Sequence, residues 1–499
     1  MWIKIHQSGS RGAGETDARR IYRSCAFCLV SCGEKKEAAT DTIPSDTAGA
    51  TDTETETEET GRTLQDAVPE LSFDGTTFRT IVQESTQYDI YAAEQTGDTL
   101  NDSIYRRTID TEERFDIVIA PAEELAFSEL STKILKSIRA QADEYDMILG
   151  QMEQTGKDAQ SGIFRNWYDI PYVDFTKPWW PKSVARDAAT VNGKMFVTVS
   201  DLCVSYAEQT WGIVFDKDKA QDYGVDGVYD LVRDGKWTID KLTELADTVY
   251  TDVNGDGAKD ANDYYGYVTA DNGCLILSYF YGFDQRLAIV EDGRVNMVLN
   301  TEKSASICDK IYRLTTAQGT YKPADASNAG IYNVFVNGNA LFCPMELQYV
   351  YRQLRDYEHG YGVVPLPKWD EAQSEYYSVC DAGANVMVVP VTAQNTEMIG
   401  AVVEALSSYS WRTVMPTYCD IVLNRKSARD PESAEMMELI LESRVIDFAY
   451  LYDGWTGWVF KLAGMTAQEG VFTSVYEKNE KAMQTYYDKV LALFYDDAE

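Results

Sequence analysis

Phe78-Arg-Thr-Ile-Val-Gln83, Asn101 to Glu113, and Phe115-Asp-Ile-Val-Ile119 form the stretch on which the fold turns. The first piece reads as a strand, the second as a helix and the third as another strand. Ser131 to Arg139 is again helical, and Tyr145-Asp-Met-Ile-Leu149 is strand-like. Strands that alternate with helices imply parallel βαβ units and an α/β class. The alternation continues in Lys194-Met-Phe-Val-Thr-Val-Ser200 (strand), Trp237 to Ala246 (a helix start) and Ala340-Leu-Phe-Cys-Pro344 (strand). No repeat recurs at a fixed period, which argues against solenoids and propellers.

The chain is strongly acidic, with 45 Lys+Arg against 80 Asp+Glu and a net charge of −35 over 499 residues. Such a surface repels nucleic-acid phosphates and anionic headgroups, so no nucleic-acid partner is expected. No run reaches the ~18–20 apolar residues of a membrane-spanning helix. With only two histidines, His6 and His359, one chain cannot assemble a multi-His metal site or a second-His relay. A hydrolase built on this chain would have to use carboxylates. Beyond Cys25, Cys28 and Cys32, the six cysteines show no CxxC spacing and read as small buried apolar residues.

Arg19, Arg20 and Arg23 precede the short apolar run Cys25-Ala-Phe-Cys-Leu-Val30, which ends in Ser31-Cys32-Gly33. This is the order of a secretory signal. Leu29-Val-Ser-Cys32 resembles a bacterial lipobox, which implies that residues 1–32 are a signal segment and that Cys32 carries lipid. Residues 33–62 contain no aromatic residue and one large aliphatic, Ile43, so they cannot bury enough apolar surface to offset chain entropy and read as a disordered acidic linker. Together these place a folded body on a tether at the extracellular face of a bacterial membrane.

Between Asp252 and Asp263 the run Asp252-Val-Asn254-Gly-Asp256-Gly-Ala258-Lys-Asp260-Ala-Asn-Asp263 sets oxygen side chains at loop positions 1, 3, 5, 9 and 12. Gly stands at position 6, and Ala258 offers a backbone carbonyl at 7. That spacing wraps a hard cation, and one structural Ca2+ is expected, with Asp263 shorter than the usual Glu at the last position. Gly266 follows closely, so no long exit helix is expected. The loop also resembles one half of a dockerin. The competing reading is a plain Asp/Asn/Gly turn.

The order of several short runs resembles the extracellular solute-binding proteins of ABC importers, in the carbohydrate-type family that includes maltose-binding protein. They are Asn101-Asp-Ser-Ile-Tyr-Arg-Arg-Thr with Glu112-Glu-Arg-Phe115, Ile170-Pro-Tyr-Val-Asp-Phe-Thr-Lys-Pro-Trp-Trp180, Asn192-Gly-Lys-Met-Phe196, Val214-Phe-Asp-Lys217, Tyr361-Gly-Val-Val-Pro-Leu-Pro367, and Met415-Pro-Thr-Tyr418 with Ala428-Arg-Asp430. The resemblance covers most of residues 70–499 and implies a two-lobe, type II periplasmic-binding-protein-like fold. Each lobe would be a mostly parallel sheet flanked by helices. Lobe 1 is placed at 63–204 with 379–425, and lobe 2 at 205–378 with 426–499. The family's partners would be a carbohydrate or other small polar solute and the ABC permease subunits, with the protein itself a monomer and no enzyme.

Sugar receptors combine flat aromatics with carboxylates. Trp179 and Trp180 follow Pro178 in an expected loop; either one faces the cleft or both anchor the loop. Asp201 ends the Met195–Val199 run, where it caps a turn or accepts from ligand hydroxyls. Glu346 ends the Ala340 strand, where the resembled protein presents an aromatic. Asp381 opens Asp-Ala-Gly383, where the glycine would permit hinge bending. Trp455 and Trp458 flank Gly457 in a late loop and either cover the ligand or pack in the core, the alternative that stands for Asp201, Glu346 and Asp381 as well. Cys203 and Cys380 lie at the two expected passages between lobes; two buried free thiols are preferred there over a disulfide. A carboxylate glycoside hydrolase and a surface nutrient sensor remain competing readings.

Overall fold

A computed structural model describes residues 62–185, 188–354, 357–423, 431–454 and 456–495. The signal segment with Cys32, nearly all of the linker, and Trp455 lie outside the described residues. Among the described residues fourteen strands run in chain order: β1 Thr76–Phe78, β2 Thr80–Gln83, β3 Ile117–Ile119, β4 Glu123–Leu125, β5 Met147–Gln151, β6 Trp211–Asp216, β7 Tyr250–Thr251, β8 Tyr264–Val268, β9 Ala288–Glu291, β10 Arg294–Met297, β11 Thr320–Tyr321, β12 Ala340–Glu346, β13 Tyr361–Val364 and β14 Asn385–Val388.

Two larger sheets organise the molecule. One has the order β14-β5-β2-β4; the other has β11-β8-β12-β6-β13, with β7 beside β8. Parallel pairings are β2–β4, β2–β5, β8–β11 and β8–β12, as alternation with helices demands. The antiparallel pairings β5–β14, β6–β12 and β6–β13 involve strands by which the chain enters or leaves a sheet, and no helical crossover sets their direction. Ile81, Ile148 and Leu149 in the first sheet and Ile213, Phe342 and Val364 in the second have zero exposure.

The helix expected from Asn101 forms as Thr99–Phe115, capped by the Asp98 carboxylate accepting the Asn101 N–H. The one expected from Trp237 starts at Ile239, where Thr238 accepts the Lys241 N–H. Lys194–Ser200 departs from expectation. It forms only isolated bridges, Val191 to Lys194 and Thr198 to Met387, because it meets the outer edge of β14 at one residue before turning at Asp201.

The chain passes from the first sheet to the second before β6 and returns between β13 and β14. These passages run side by side: the Trp211 N–H donates to Val379 O at 3.0 Å and the Asp381 N–H to Gln209 O at 2.8 Å. A third segment joins them where the Val445 N–H donates to Ser378 O at 2.8 Å. Cys203 and Cys380 are both buried free thiols.

Candidate functional site

Three strands of the two sheets are each followed by a helix. β5 runs into the helix Met152–Ala159, β8 is followed by Gly273–Gly282, and β12 runs into Leu347–Gln353. Carboxyl ends of strands in open α/β sheets are where ligands gather. Glu153 stands in the first turn after β5, and its helix is tied to the returning passage by Met152 N–H to Ala384 O at 3.0 Å. Its side chain is fully buried, and neither carboxylate oxygen has a hydrogen-bond partner.

Asp381 sits on that returning passage and accepts the Gly383 N–H at 3.0 Å. Glu346, at the end of β12, is 3% exposed and accepts from Asn328 Nδ2 at 2.7 Å, from the Tyr332 hydroxyl at 3.3 Å, and from Gln348. Asp453 follows the short helix Phe448–Leu451 and is fully buried. Its Oδ1 accepts the Val459 N–H at 3.1 Å and the Tyr487 hydroxyl at 3.3 Å, while Oδ2 has no partner.

These four acids share one electrostatic neighbourhood. Burial, then the charges of Asp453 and Asp381, push Glu153 up to about 9. Burial raises Asp453 to about 7. Glu346 is raised by burial and then by Asp381, and Asp381 is raised by burial. The Cys274 thiol is raised by burial and by Asp381, Glu153 and Asp453. Starting helices offset a nearby negative charge, but here desolvation outweighs them.

Of the residues expected at a ligand, Glu346 and Asp381 meet in this cluster. Glu153 and Asp453 belong to it and were not anticipated. Glu153's place at a strand's carboxyl end is a signal that could have found it; Asp453 has none. Trp179 and Trp180 take the second of their two expected roles. Both have zero exposure, with indole N–H groups donating to Glu404 at 3.1 and 2.9 Å, and they anchor the loop because a buried carboxylate from a distant helix supplies the acceptor they need. Trp458 likewise packs in the core: it is 2% exposed and stacks on Tyr476 with centroids 4.6 Å apart. Asp201 lies apart from the cluster, on a cavity of about 510 Å³ that it shares with Arg62 and Arg444, and burial raises it to about 6. Gly383 has no left-handed backbone angle. An added Cβ there would lie 2.6 Å from Gln209 Oε1, the end of a flexible side chain.

The Asp252–Asp263 loop joins β7 to β8, and Gly255 and Gly257 take left-handed φ of 74° and 75°. Asp252 accepts the Gly255 and Gly257 N–H groups at 2.6 and 2.9 Å, and Asp256 accepts that of Ala258 at 2.7 Å. Asp263 is buried and accepts the Tyr250 hydroxyl at 3.2 Å. The donor types suit a hard cation. Among the described residues, however, no three carboxylates of this loop lie within 4.8 Å of one another; the group that does is Asp216, Asp218 and His359. There Asp216 caps a helix through the Lys219 N–H at 2.8 Å and accepts the Tyr357 hydroxyl at 2.7 Å.

No protein-family model matches the sequence, and no curated protein does. Solved structures do match. The GacH receptor of Streptomyces glaucescens, determined unliganded and with acarbose, gives a TM-score of 0.54 at 13% identity over 83% of this chain and 99% of its own. The maltose/maltodextrin-binding domain MalE of Bdellovibrio bacteriovorus, bound to maltotriose, gives 0.54 at 12% over 83% and 100%. UgpB of Mycobacterium tuberculosis, bound to glycerophosphocholine, gives 0.53 at 13% over 83% and 99%. The chain therefore has the type II periplasmic-binding-protein fold of these proteins.

Proposed function

We propose that this protein is a substrate-binding component of an ABC importer that captures a small polar solute of the carbohydrate type between its two lobes. The observation that carries the reading is a set of four acids, Glu153, Glu346 and Asp453 buried and Asp381 half-buried, contributed by the carboxyl ends of β5 and β12, by the returning passage and by the segment after Phe448–Leu451. Lobe 1 is assigned to 63–204 with 379–425 and lobe 2 to 205–378 with 426–499. Closure around solute would shift the population toward the form a permease engages. No reaction is assigned to the acids. A thermal-shift panel of mono- and oligosaccharides tests capture, since a ligand at 100 times its Kd stabilises by about 2.7 kcal/mol; a panel without a single shift would count against it.

The tether belongs to the same proposal: Cys32 anchors the monomeric protein on the extracellular face of the membrane. Cys32→Ser should release the protein into the medium, and a variant that stays in the membrane fraction would refute the anchor. One structural Ca2+ is assigned to Asp252, Asn254, Asp256, the Ala258 carbonyl, Asp260 and Asp263, on donor type and spacing.

A further inference from the structure

The acid cluster is unusual in what it lacks. Among the described residues, no Lys or Arg is a principal electrostatic neighbour of Glu153, Glu346, Asp381 or Asp453. Glu346 is satisfied by neutral donors, but Glu153 is fully buried with two bare oxygens, and Asp453 Oδ2 and Gln151 Oε1 are bare as well. The unmet demand is therefore for donors, and it is concentrated on carboxylates. A buried carboxylate without a partner is costly unless a proton or a cation neutralises it. Neutral sugar hydroxyls can donate but bring no charge. Among the described residues no three of these acids bring carboxylate oxygens within 4.8 Å of one another, so the cluster offers a spread of acceptors in place of one compact point.

We infer that the solute held at this site carries at least one ammonium group, seated against Glu153 and facing Asp381 and Asp453: an amine-bearing sugar or a linear polyamine in place of a neutral sugar. This rests on the reading of solute capture between the lobes. The bare oxygens of Glu153 accept the ammonium N–H groups, and charge-assisted bonds of that kind are among the stronger ones. Because burial keeps Glu153 protonated when no cation is present, arrival of the ammonium displaces that proton to solvent.

Titration calorimetry of the full chain at pH 7, in two buffers of different ionisation enthalpy, tests this with matched probes. They are glucosamine oligosaccharides, the same oligosaccharides fully N-acetylated, maltooligosaccharides, and spermidine. The expected result is binding of a free-amine probe with net proton release. Acetylation should weaken it, and Glu153→Gln should weaken it about 10- to 100-fold, the loss of a hydrogen bond between charged groups, while the variant melts no lower than the parent. Glucosamine oligosaccharides binding where spermidine does not assigns an amino sugar; the reverse assigns a polyamine. A neutral probe binding as tightly as its amine counterpart, without proton release, overturns the inference and leaves solute capture standing. So does amine binding that Glu153→Gln leaves unchanged. Silence from every probe overturns the inference together with the reading beneath it.

Discussion

Replacing Glu153 by Gln removes one charge and almost nothing else, because the carboxylate makes no hydrogen bond that an amide would lose. Its folded-state value of about 9 lies well above the 4.5 of an ordinary Glu, so the folded protein binds this proton more tightly than the unfolded chain does. The sign follows: the stability this group permits is fully present below pH 4.5 and is lost as pH rises toward 9. At 1.36 kcal/mol per unit, moving from 4.5 to pH 7 costs about 3 kcal/mol, and the cost at pH 8.5 is about 5 kcal/mol. Gln does not titrate. The ligand-free variant should therefore match the parent near pH 5 and exceed it by about 3 kcal/mol at pH 7. For roughly 440 folded residues with unfolding entropy near 2.1 cal/mol/K each, that is a Tm gain of about 3–4 °C. Scanning calorimetry of both proteins at pH 5, 7 and 8.5 reads the difference, which isolates Glu153 from Asp453 and Glu346 titrating in the same window. Parallel curves across that range would show that Glu153 is not held in a charge-hostile site.

Glu404→Ala leaves the Trp179 and Trp180 indoles and the Asp174 N–H, now at 3.1, 2.9 and 3.3 Å from the carboxylate, without their acceptor; at about 1–3 kcal/mol per buried orphan, urea unfolding should show a loss of roughly 3–5 kcal/mol, and a loss below about 1 kcal/mol contradicts the anchor. Gly156→Ala would set a Cβ 1.9 Å from the Leu451 carbonyl oxygen, forcing the helix that carries Glu153 away from the segment that leads to Asp453. A destabilisation of about 1–3 kcal/mol is expected, with weakened solute binding; a variant equal to the parent in both argues that the two segments are free to separate. For the Asp252–Asp263 loop, 10 mM Ca2+ against a Kd of ~10⁻⁴–10⁻³ M should stabilise by about 1.4–2.7 kcal/mol. Asp256→Ala should erase that response, and identical melting in Ca2+ and in chelator rejects the metal.

The α/β class was legible because alternation is local. Each strand and helix between Phe78 and Leu149 declares itself within a few residues, and each forms within a residue or two of its expected edges, save that Phe78–Gln83 divides into β1 and β2 and the Ser131 helix begins at Phe127. Lys194–Ser200 misled for the opposite reason: its apolar run is what a strand needs, but whether a strand pairs depends on what lies beside it, and β14 offers it a single bridge. Trp179 and Trp180 stayed open between two roles for the same reason. A loop with two indoles reads as exposed until Glu404, more than 220 positions away, is found beneath it. Glu346 and Asp381 could be picked out because a polar residue that ends an apolar strand, or sits at a passage between sheets, stands where ligands gather.

Why only part of the site could be read ahead of the fold is a question of what distinguishes one acid from eighty. On the surface a carboxylate ionises at little cost, and a chain this acidic has many that do no more than keep it soluble. Asp453 and Glu153 differ from those in being buried with, among the described residues, no Lys or Arg as a principal neighbour, and that is a property of neighbours brought from residues 151–153, 274, 346, 381 and 453 at once. A charge buried without a partner has to be balanced by a proton or by something from outside. Of the four acids in the cluster, Glu153 has two bare oxygens and Asp453 one, and under the inference drawn above that unmet demand is what sets the sign of the charge on the solute, which sequence position alone does not encode.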